Sequence, residues 1–528
     1  MSDRLLSYRP GFLAAALFLI LPVLGLWLRP LIPNGETRYI TVAWNVWLTN
    51  DHVLLRLDGA PYFSKPPFLF VAIEEAWDLF GPLESVARLV PPVFTAGTFI
   101  LIAMMARLLW PERRELASYA PFILLSFIAF ATYGQQLMFD GTLALWALVA
   151  LVGLVAAAQG RTFAGFLAFA AGICFGILTK GPVLLVFVLP AALFHPLWRV
   201  PATSGLSLGR WYAGVAMAFL AGILPPLIWA FAAVNAAGGG YGFETLWHQV
   251  VDRLFPATAS HQHAWWYYLM YLPALAFPWI FWPGAWSASR WCEVKGEWQV
   301  RFLLVVAMTA LLILTASSGK RFLYLLPIYP ALALLVARLL AAGEPSARLR
   351  TFAWFPLLIA ALGACAMAIG YGQESVPELF REGMAPWFGP VLLLFAVCYL
   401  LTARIGIRYY AQALALLTVT LMLAGEVAAW RILQLYDPSR LLSAIPDVAS
   451  VPLAMHPRHR GQFGYAGRRI RPIDPVPSEH EIRDWAEKNP DGYLIAPMKA
   501  VRKMSKTAPL QIIPYGFQSY GIWKAGRF

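Results

Sequence analysis

Residues Gly11–Leu28 read GFLAAALFLILPVLGLWL, an uncharged apolar run long enough to cross the hydrocarbon of a bilayer as one helix. A second run of the same kind, Ala213–Val234, lies two hundred residues on, and others recur to about residue 433. By length and composition the chain holds roughly thirteen candidate spans, centred near residues 20, 98, 125, 148, 170, 190, 222, 275, 309, 331, 361, 394 and 420. The first run has no small-residue cleavage site behind it and is followed by charged sequence, so it reads as a retained span.

Composition agrees with that class. The 528 residues are 59% hydrophobic and only 13% charged, with a mean hydropathy of +0.62, which excludes an ordinary soluble domain. Orientation follows from the basic residues of the short connections: Arg4, Arg9, Arg107, Arg113, Arg114, Arg161, Arg199, Arg210, Arg290, Lys295, Arg301, Arg338, Arg348, Arg350, Arg404 and Arg408 fall on one side if every run is a span. An excess of Lys and Arg marks the cytoplasmic side. An odd number of spans then sends the residues after about 433 outward, in a bacterium to the periplasm.

The expected architecture is therefore a polytopic α-helical membrane protein of about thirteen transmembrane helices, residues 1–433, with an outer loop at 30–85, followed by a small periplasmic α/β domain at 434–528. In that tail Ser478 with Glu481 three residues on forms a capping box opening a helix through Trp485 and Lys488. Apolar runs at Val451–Met455, Tyr493–Met498 and Leu510–Ile513 read as strands.

The net charge of +13 comes from the cytoplasmic loops and from Arg458, Arg460, Arg468, Arg469, Arg471, Arg502, Lys503 and Lys506 in the tail. A basic cluster beside a bilayer attracts lipid headgroups, the reading preferred here over acceptor binding. No nucleic-acid partner is expected, because no recognition motif accompanies the charge. Cys174, Cys365 and Cys398 fall in spans and Cys292 in a cytoplasmic connection, so no disulfide is implied. There is no glycine-rich phosphate loop of the kind that drives a nucleotide-dependent pump.

Charge on the outer side has a pattern. The first loop supplies Glu36, Arg38, Arg56, Asp58 and Lys65; later connections supply Asp140, Lys180, Asp252, Arg253, Lys320 and Arg321. Ionisable groups at a membrane edge are costly unless solvated, paired or used. Any one of these could be an interfacial anchor. Together, with cations in excess, they suit an anionic lipid-linked substrate whose phosphate is held by Arg and Lys while a carboxylate acts on an acceptor.

Five segments in order carry a family resemblance: Gly35-Glu36-Thr37-Arg38-Tyr39 with Asp58-Gly59-Ala60-Pro61-Tyr62-Phe63-Ser64-Lys65-Pro66-Pro67; Phe139-Asp140-Gly141; Thr179-Lys180-Gly181-Pro182; Trp265-Trp266-Tyr267-Tyr268; and Ser318-Gly319-Lys320-Arg321 running into Tyr324-Leu325-Leu326-Pro327 and Tyr329-Pro330. They resemble the bacterial aminoarabinose lipid A transferases and, more broadly, the polyprenyl-phosphate-dependent, protein-mannosyltransferase-like enzymes. The resemblance implies transfer of a sugar, with inversion, from a polyprenyl-phosphate donor to a lipid A-like or protein acceptor at the outer face of the inner membrane. It implies Glu36 and Asp140 as catalytic carboxylates, Arg38, Lys65, Lys180, Arg253, Lys320 and Arg321 as donor-phosphate ligands, and Tyr39, Tyr62 and Tyr324 as residues of the substrate cavity. One position departs from the family pattern: relatives begin the first motif with Asp-Glu, and here Gly35 stands in the Asp position.

No cofactor is expected. His248, His261 and His263 lie near the aromatic segment, but Ser64 before Lys65 offers no carboxylate, so a divalent metal is disfavoured and these histidines read as interfacial. Trp265, Trp266, Tyr267, Tyr268, Trp279 and Trp282 read as interface-belt aromatics. The competing reading is a lipid-linked sugar transporter or flippase, whose signature would be charges at mid-span and broken helices in matched halves.

Overall fold

A computed structural model describes residues 9–200, 206–240, 242–244, 263–317, 319–342, 361, 363–364, 387–402, 407–456, 461–501, 508–516 and 518–527. Among these, eight helices are long and apolar enough to cross a membrane: Arg9–Leu28, Glu84–Leu109, Phe139–Ala158, Thr162–Lys180, Leu208–Ala236, Trp298–Ala316, Phe322–Leu340 and Tyr409–Ala428. The chain is a multi-pass membrane protein. Arg114–Ser126 and Ile128–Gly134 make a ninth span if taken together, bent by 72°. Shorter apolar helices lie at Pro182–Leu193 and Gly389–Tyr399. The expected span near 361 falls mostly outside the described residues.

The bend at Phe127 is tolerated because its freed polar groups are answered from other helices. Thr418 Oγ1 donates to the Ser126 carbonyl at 3.3 Å, and the Trp279 indole N–H donates to Ser126 Oγ at 2.8 Å. The expected span near residue 275 is not one continuous helix. The helix Tyr267–Leu275 ends after nine residues, and Pro278 and Pro283 break the next stretch into short 3₁₀ turns at Trp279–Phe281 and Pro283–Trp286. Trp279, Trp282 and Tyr268 are also buried in the bundle, unlike the belt position expected of them, whereas Trp265 and Trp266 are exposed.

The spans differ in how deeply they sit. Of the window that would cross the membrane, 83% is buried in Phe322–Leu340 and 72% in Phe139–Ala158, against 22% in Leu208–Ala236. The two central helices bring Asp140, Arg321 and Tyr324 to one end of the bundle.

Residues 30–85 are largely ordered secondary structure. The amphipathic helix Glu36–Thr49 buries Ile40, Thr41, Val42, Ala43, Trp44 and Val46 and ends at Asn50, whose left-handed φ of 51° suits a helix C-terminus. A hairpin of β1 (Arg56–Leu57) and β2 (Ala60–Pro61) comes next, then the helix Phe68–Phe80 opening after Pro66-Pro67.

After residue 434 the chain builds a five-stranded mixed sheet from β3 (Leu453–Met455), β4 (Asp474–Pro475), β5 (Tyr493–Pro497), β6 (Gln511–Tyr515) and β7 (Gln518–Lys524), in the order β4-β3-β5-β7-β6. Alternate residues face opposite sides. Leu453, Met455, Ile495 and Ile522 pack on Leu441, Leu442 and Phe463, while Ala454, Leu494 and Trp523 pack on Ile482 and Trp485 of the helix Glu479–Lys488. Ser478 Oγ caps that helix by accepting from the Glu481 N–H at 3.3 Å.

Candidate active site

Asp140 lies in the first turn of Phe139–Ala158 with 3% of its surface exposed, and it forms an ion pair with Lys180, the last residue of Thr162–Lys180. The close fit of this helix depends on Gly141, where a Cβ would stand 2.1 Å from Thr95 Oγ1. Lys180 also lies over the Tyr324 ring, 4.4 Å from its centre. Lys65 and Arg321 are both within electrostatic range of the Asp140 carboxylate. Lys65 reaches inward from the Ser64-Lys65-Pro66-Pro67 segment, its Nζ donating to Ser64 O at 3.1 Å and lying 5.9 Å from the Phe139 ring centre. The Arg321 backbone carbonyl accepts from the Tyr268 hydroxyl at 3.1 Å, and its side chain is exposed.

Aromatic rings line the same place. Tyr39 meets Phe139 edge-on at 4.7 Å, and Tyr62 meets Phe70 edge-on at 6.1 Å. Burial, reinforced by Tyr62 and Asp140 nearby, pushes the Tyr39 hydroxyl well above its ordinary range, so it stays a proton donor at neutral pH.

Glu36 is placed differently. It is fully buried, and its two oxygens accept four hydrogen bonds: from Arg29 Nη1 at 2.6 Å, Arg29 Nη2 at 3.2 Å, the Ile32 N–H at 2.8 Å and the Leu137 N–H at 2.7 Å. Burial alone would raise its pKa; the Arg29 charge and hydrogen bonds, helped by Arg88 and the Ile32 amide, outweigh it and hold the carboxyl below the usual range. Arg29 Nε also approaches Glu426 Oε1 at 3.9 Å, and Gln135 Nε2 donates to the same oxygen at 3.0 Å.

Lys320 is not gathered into the Asp140 cluster. It is 2% exposed, and its Nζ donates to the backbone carbonyls of His263, at 3.1 Å, and Ser317. Arg38 is half-buried beneath the tail, where a Cβ on Gly461 would stand 3.1 Å from Arg38 Cγ. Its Nε makes no hydrogen bond among the described residues. Asp58 turns to the tail, accepting from the Gly461 N–H at 2.8 Å. Arg253, with Asp252, His248 and His261, lies outside the described residues. Among the described residues no three His, Cys, Asp or Glu side chains are grouped to hold a metal ion.

The tail segment Gly461–Arg469 closes over the Glu36–Thr49 helix. Thr41 Oγ1 donates to Gly461 O at 2.9 Å, the Trp44 indole N–H donates to Arg469 O at 2.8 Å, and Tyr465 stacks on Trp77 at 5.5 Å while its hydroxyl donates to Pro82 O at 3.0 Å.

Sequence reasoning missed Arg29 and Glu426. Arg29 directly follows an apolar run and Glu426 interrupts one, which is the signal that could have found them: an ionisable residue in or against a span has a partner or a use.

The family model for dolichyl-phosphate-mannose-protein mannosyltransferase matches residues 64–229. The undecaprenyl phosphate-alpha-4-amino-4-deoxy-L-arabinose arabinosyl transferase 1 of Pseudomonas fluorescens is 29% identical over 382 residues, 70% of this chain and 66% of that protein. The corresponding transferase of Shewanella sediminis is 26% identical over 475 residues, covering 86% and 83%. The chain thus spans about two thirds of the length of the first of these relatives and more of the second. The crystal structure of ArnT from Cupriavidus metallidurans bound to undecaprenyl phosphate superposes with a TM-score of 0.76 at 18% identity, over 97% of both chains, so the fold is shared. The recognition made from the ordered motifs, a polyprenyl-phosphate-dependent glycosyltransferase resembling the aminoarabinose transferases, is borne out by these matches.

Proposed function

We propose that this chain is an integral-membrane glycosyltransferase that moves a sugar from a polyprenyl-phosphate donor, of the undecaprenyl phosphate class, to a lipid A-like acceptor. The single observation that carries the reading is the buried Asp140–Lys180 pair with Lys65 and Arg321 in range of it. Three cations against one carboxylate is a surplus suited to a phosphate ester, since negative charge grows on the phosphate as the glycosidic bond breaks.

In the step proposed, the bond from the anomeric carbon to the donor phosphate oxygen breaks with its electron pair going to the phosphate. Lys65 and Arg321 stabilise that charge in this reading, with Arg38, whose buried Nε makes no hydrogen bond among the described residues, as a further candidate. An acceptor oxygen forms the new bond on the opposite face of the sugar. Asp140 orients the acceptor and, where the acceptor oxygen carries a proton, receives it; an acceptor arriving as an anionic phosphate needs no base. Tyr39 and Tyr62, packed against Phe139 and Phe70, flank the substrate in this reading. The apolar cavity lined by Ile128, Thr132, Tyr133, Tyr271, Leu275 and Phe322 adjoins Arg321 and suits the first units of the polyprenyl chain.

The basic residues of the opposite connections support a site on the outer face of a bacterial inner membrane, with about thirteen spans in residues 1–433 and residues 434–528 as a periplasmic domain. Charges gathered at one end of the bundle favour transfer over transport, which needs a polar path to both faces. The matched mannosyltransferase model supports a protein acceptor as the second reading.

Mass spectrometry of lipid A and of surface glycoproteins from cells with and without the gene tests both. A sugar mass lost from lipid A upholds the reading; a loss confined to proteins moves it to the second; unchanged lipids and proteins overturn it.

A further inference from the structure

We propose that Gly35, Glu36, Leu137 and Met138 form a lock that sets the position of Asp140, so that Glu36 is a positioning residue which never meets the substrate. The inference rests on the reading of Asp140 as the carboxylate of the site. Asp140 stands in the first turn of its helix, so its place is set by the non-helical turn before it, residues 135–138, where the Met138 N–H closes on Gln136 O at 2.7 Å. A turn of this kind has few contacts of its own to hold it. Here it is gripped at both ends.

At one end the Leu137 N–H donates to Glu36 Oε1 at 2.7 Å. At the other the Gln135 amide donates to Glu426 Oε1 at 3.0 Å. Arg29 joins the two carboxylates, with Nη1 at 2.6 Å from Glu36 Oε2 and Nε at 3.9 Å from Glu426 Oε1. Gln135, Glu426, Arg29, Glu36 and Leu137 thus close a ring around the turn. Its members come from the end of the first span, the start of the Glu36–Thr49 helix and the span Tyr409–Ala428.

Gly35 completes the lock. A Cβ at this position would stand 2.5 Å from Met138 Cε, so the terminal methyl of Met138 lies against Gly35 and would have to swing aside for a side chain there. Gly35 and Met138 are therefore a matched pair. With no acid at position 35, the Met138 methyl packs beside Gly35 and the turn is seated there. Because a displacement of about 1 Å at a reacting group can cost on the order of 100-fold in rate, the lock acts on turnover and not on donor affinity.

The test uses the full chain in lipid nanodiscs, reading kcat with an undecaprenyl phosphate-linked aminoarabinose donor and, separately, the Kd for undecaprenyl phosphate. Glu36→Gln should lower kcat by on the order of 100-fold while the Kd stays within about threefold, because Lys65 and Arg321 are untouched. Met138→Ala uncovers no charge and keeps the test alive if Glu36→Gln does not fold; it should lower kcat about tenfold at unchanged Kd, and Met138→Leu should restore most of the loss. Normal kcat in both Glu36→Gln and Met138→Ala, or a Kd that weakens in step with kcat, overturns the lock. Asp140→Asn run in parallel separates the two levels: if it turns over normally, the reading of Asp140 fails, and if it is inactive while the lock variants are normal, only the lock fails.

Discussion

Glu36 and Asp140 are both buried carboxylates beside a single cation, each at the first turn of a helix, and on residue type alone they are equivalent. They differ in what surrounds the pair. Glu36 accepts four hydrogen bonds, two from Arg29 and two from backbone amides, which is about all that two carboxylate oxygens can take. Asp140 shares Lys180 with the face of Tyr324, and further cations approach it from Lys65 and Arg321. A saturated carboxylate holds structure; one set among surplus cations has room for a ligand that brings negative charge. On the proposed assignment, burial and pairing do not by themselves separate a scaffold from a site, whereas the count of satisfied acceptors does.

The sharpest way to break the contrast is Asp140→Asn. It should cost on the order of 1000-fold in turnover with undecaprenyl phosphate binding retained, measured with purified donor and acceptor. Lys65→Ala should come next, lowering kcat by about 100- to 1000-fold because a phosphate-pairing cation matters most as the leaving group becomes charged. Lys65→Arg should recover only part of it, since a planar fork does not replace a point charge.

Arg29→Met should also cost stability, by about 3–5 kcal/mol, because it leaves the Glu36 charge buried without its partner. A thermal-unfolding shift no larger than that of a surface substitution would remove Glu36 from the scaffold. The same pair sets a pH dependence. The Glu36 carboxyl is held below its ordinary value of 4.5, so its stabilising contribution is complete above that pH and is lost as pH falls through the lower folded value. Wild-type melting temperature should therefore lose this contribution only below about pH 4.5, and the joint replacement Arg29→Met with Glu36→Met should flatten that loss. The smallest effect is expected at Lys320, whose ammonium is bonded to two backbone carbonyls. Lys320→Met should cost about 1–3 kcal/mol of stability while undecaprenyl phosphate affinity stays near normal, and a large loss of affinity would return Lys320 to the phosphate site.

The spans whose sequence carries a long uncharged run were legible as such: Gly11–Leu28 is the helix Arg9–Leu28, and Ala213–Val234 lies inside Leu208–Ala236. In the tail, the expected strand runs overlap β3, β5 and β6, and Ser478 caps the helix it was expected to open. Strand β7 was missed. It pairs with both β5 and β6 but contains Gly521 and reads QSYGIWK, with no clean alternation to announce it. The region near 275 looked continuous because hydropathy sums over prolines that in fact break the helix. Around the site, residue type identified Asp140, Lys180, Lys65 and Arg321 as candidates, because cations and acids at a membrane edge demand an explanation. Their sorting was not legible. Glu36 is bonded to an amide 101 positions away, and the long stem of Lys320 folds back onto carbonyls, so both depend on tertiary pairings that leave no periodic trace.

The clasp between Thr41 and Gly461 joins positions 420 residues apart, and the stacked ring of Tyr465 rests on Trp77 at a comparable separation. During synthesis at roughly 5–20 residues per second, the Glu36–Thr49 helix therefore waits on the order of tens of seconds for the segment that covers it. Trp44 and Trp77 stay bare on one side through that interval. A chain halted before residue 461 would carry the Glu36–Thr49 helix without its cover, which makes assembly of the finished fold depend on completion of nearly the whole polypeptide.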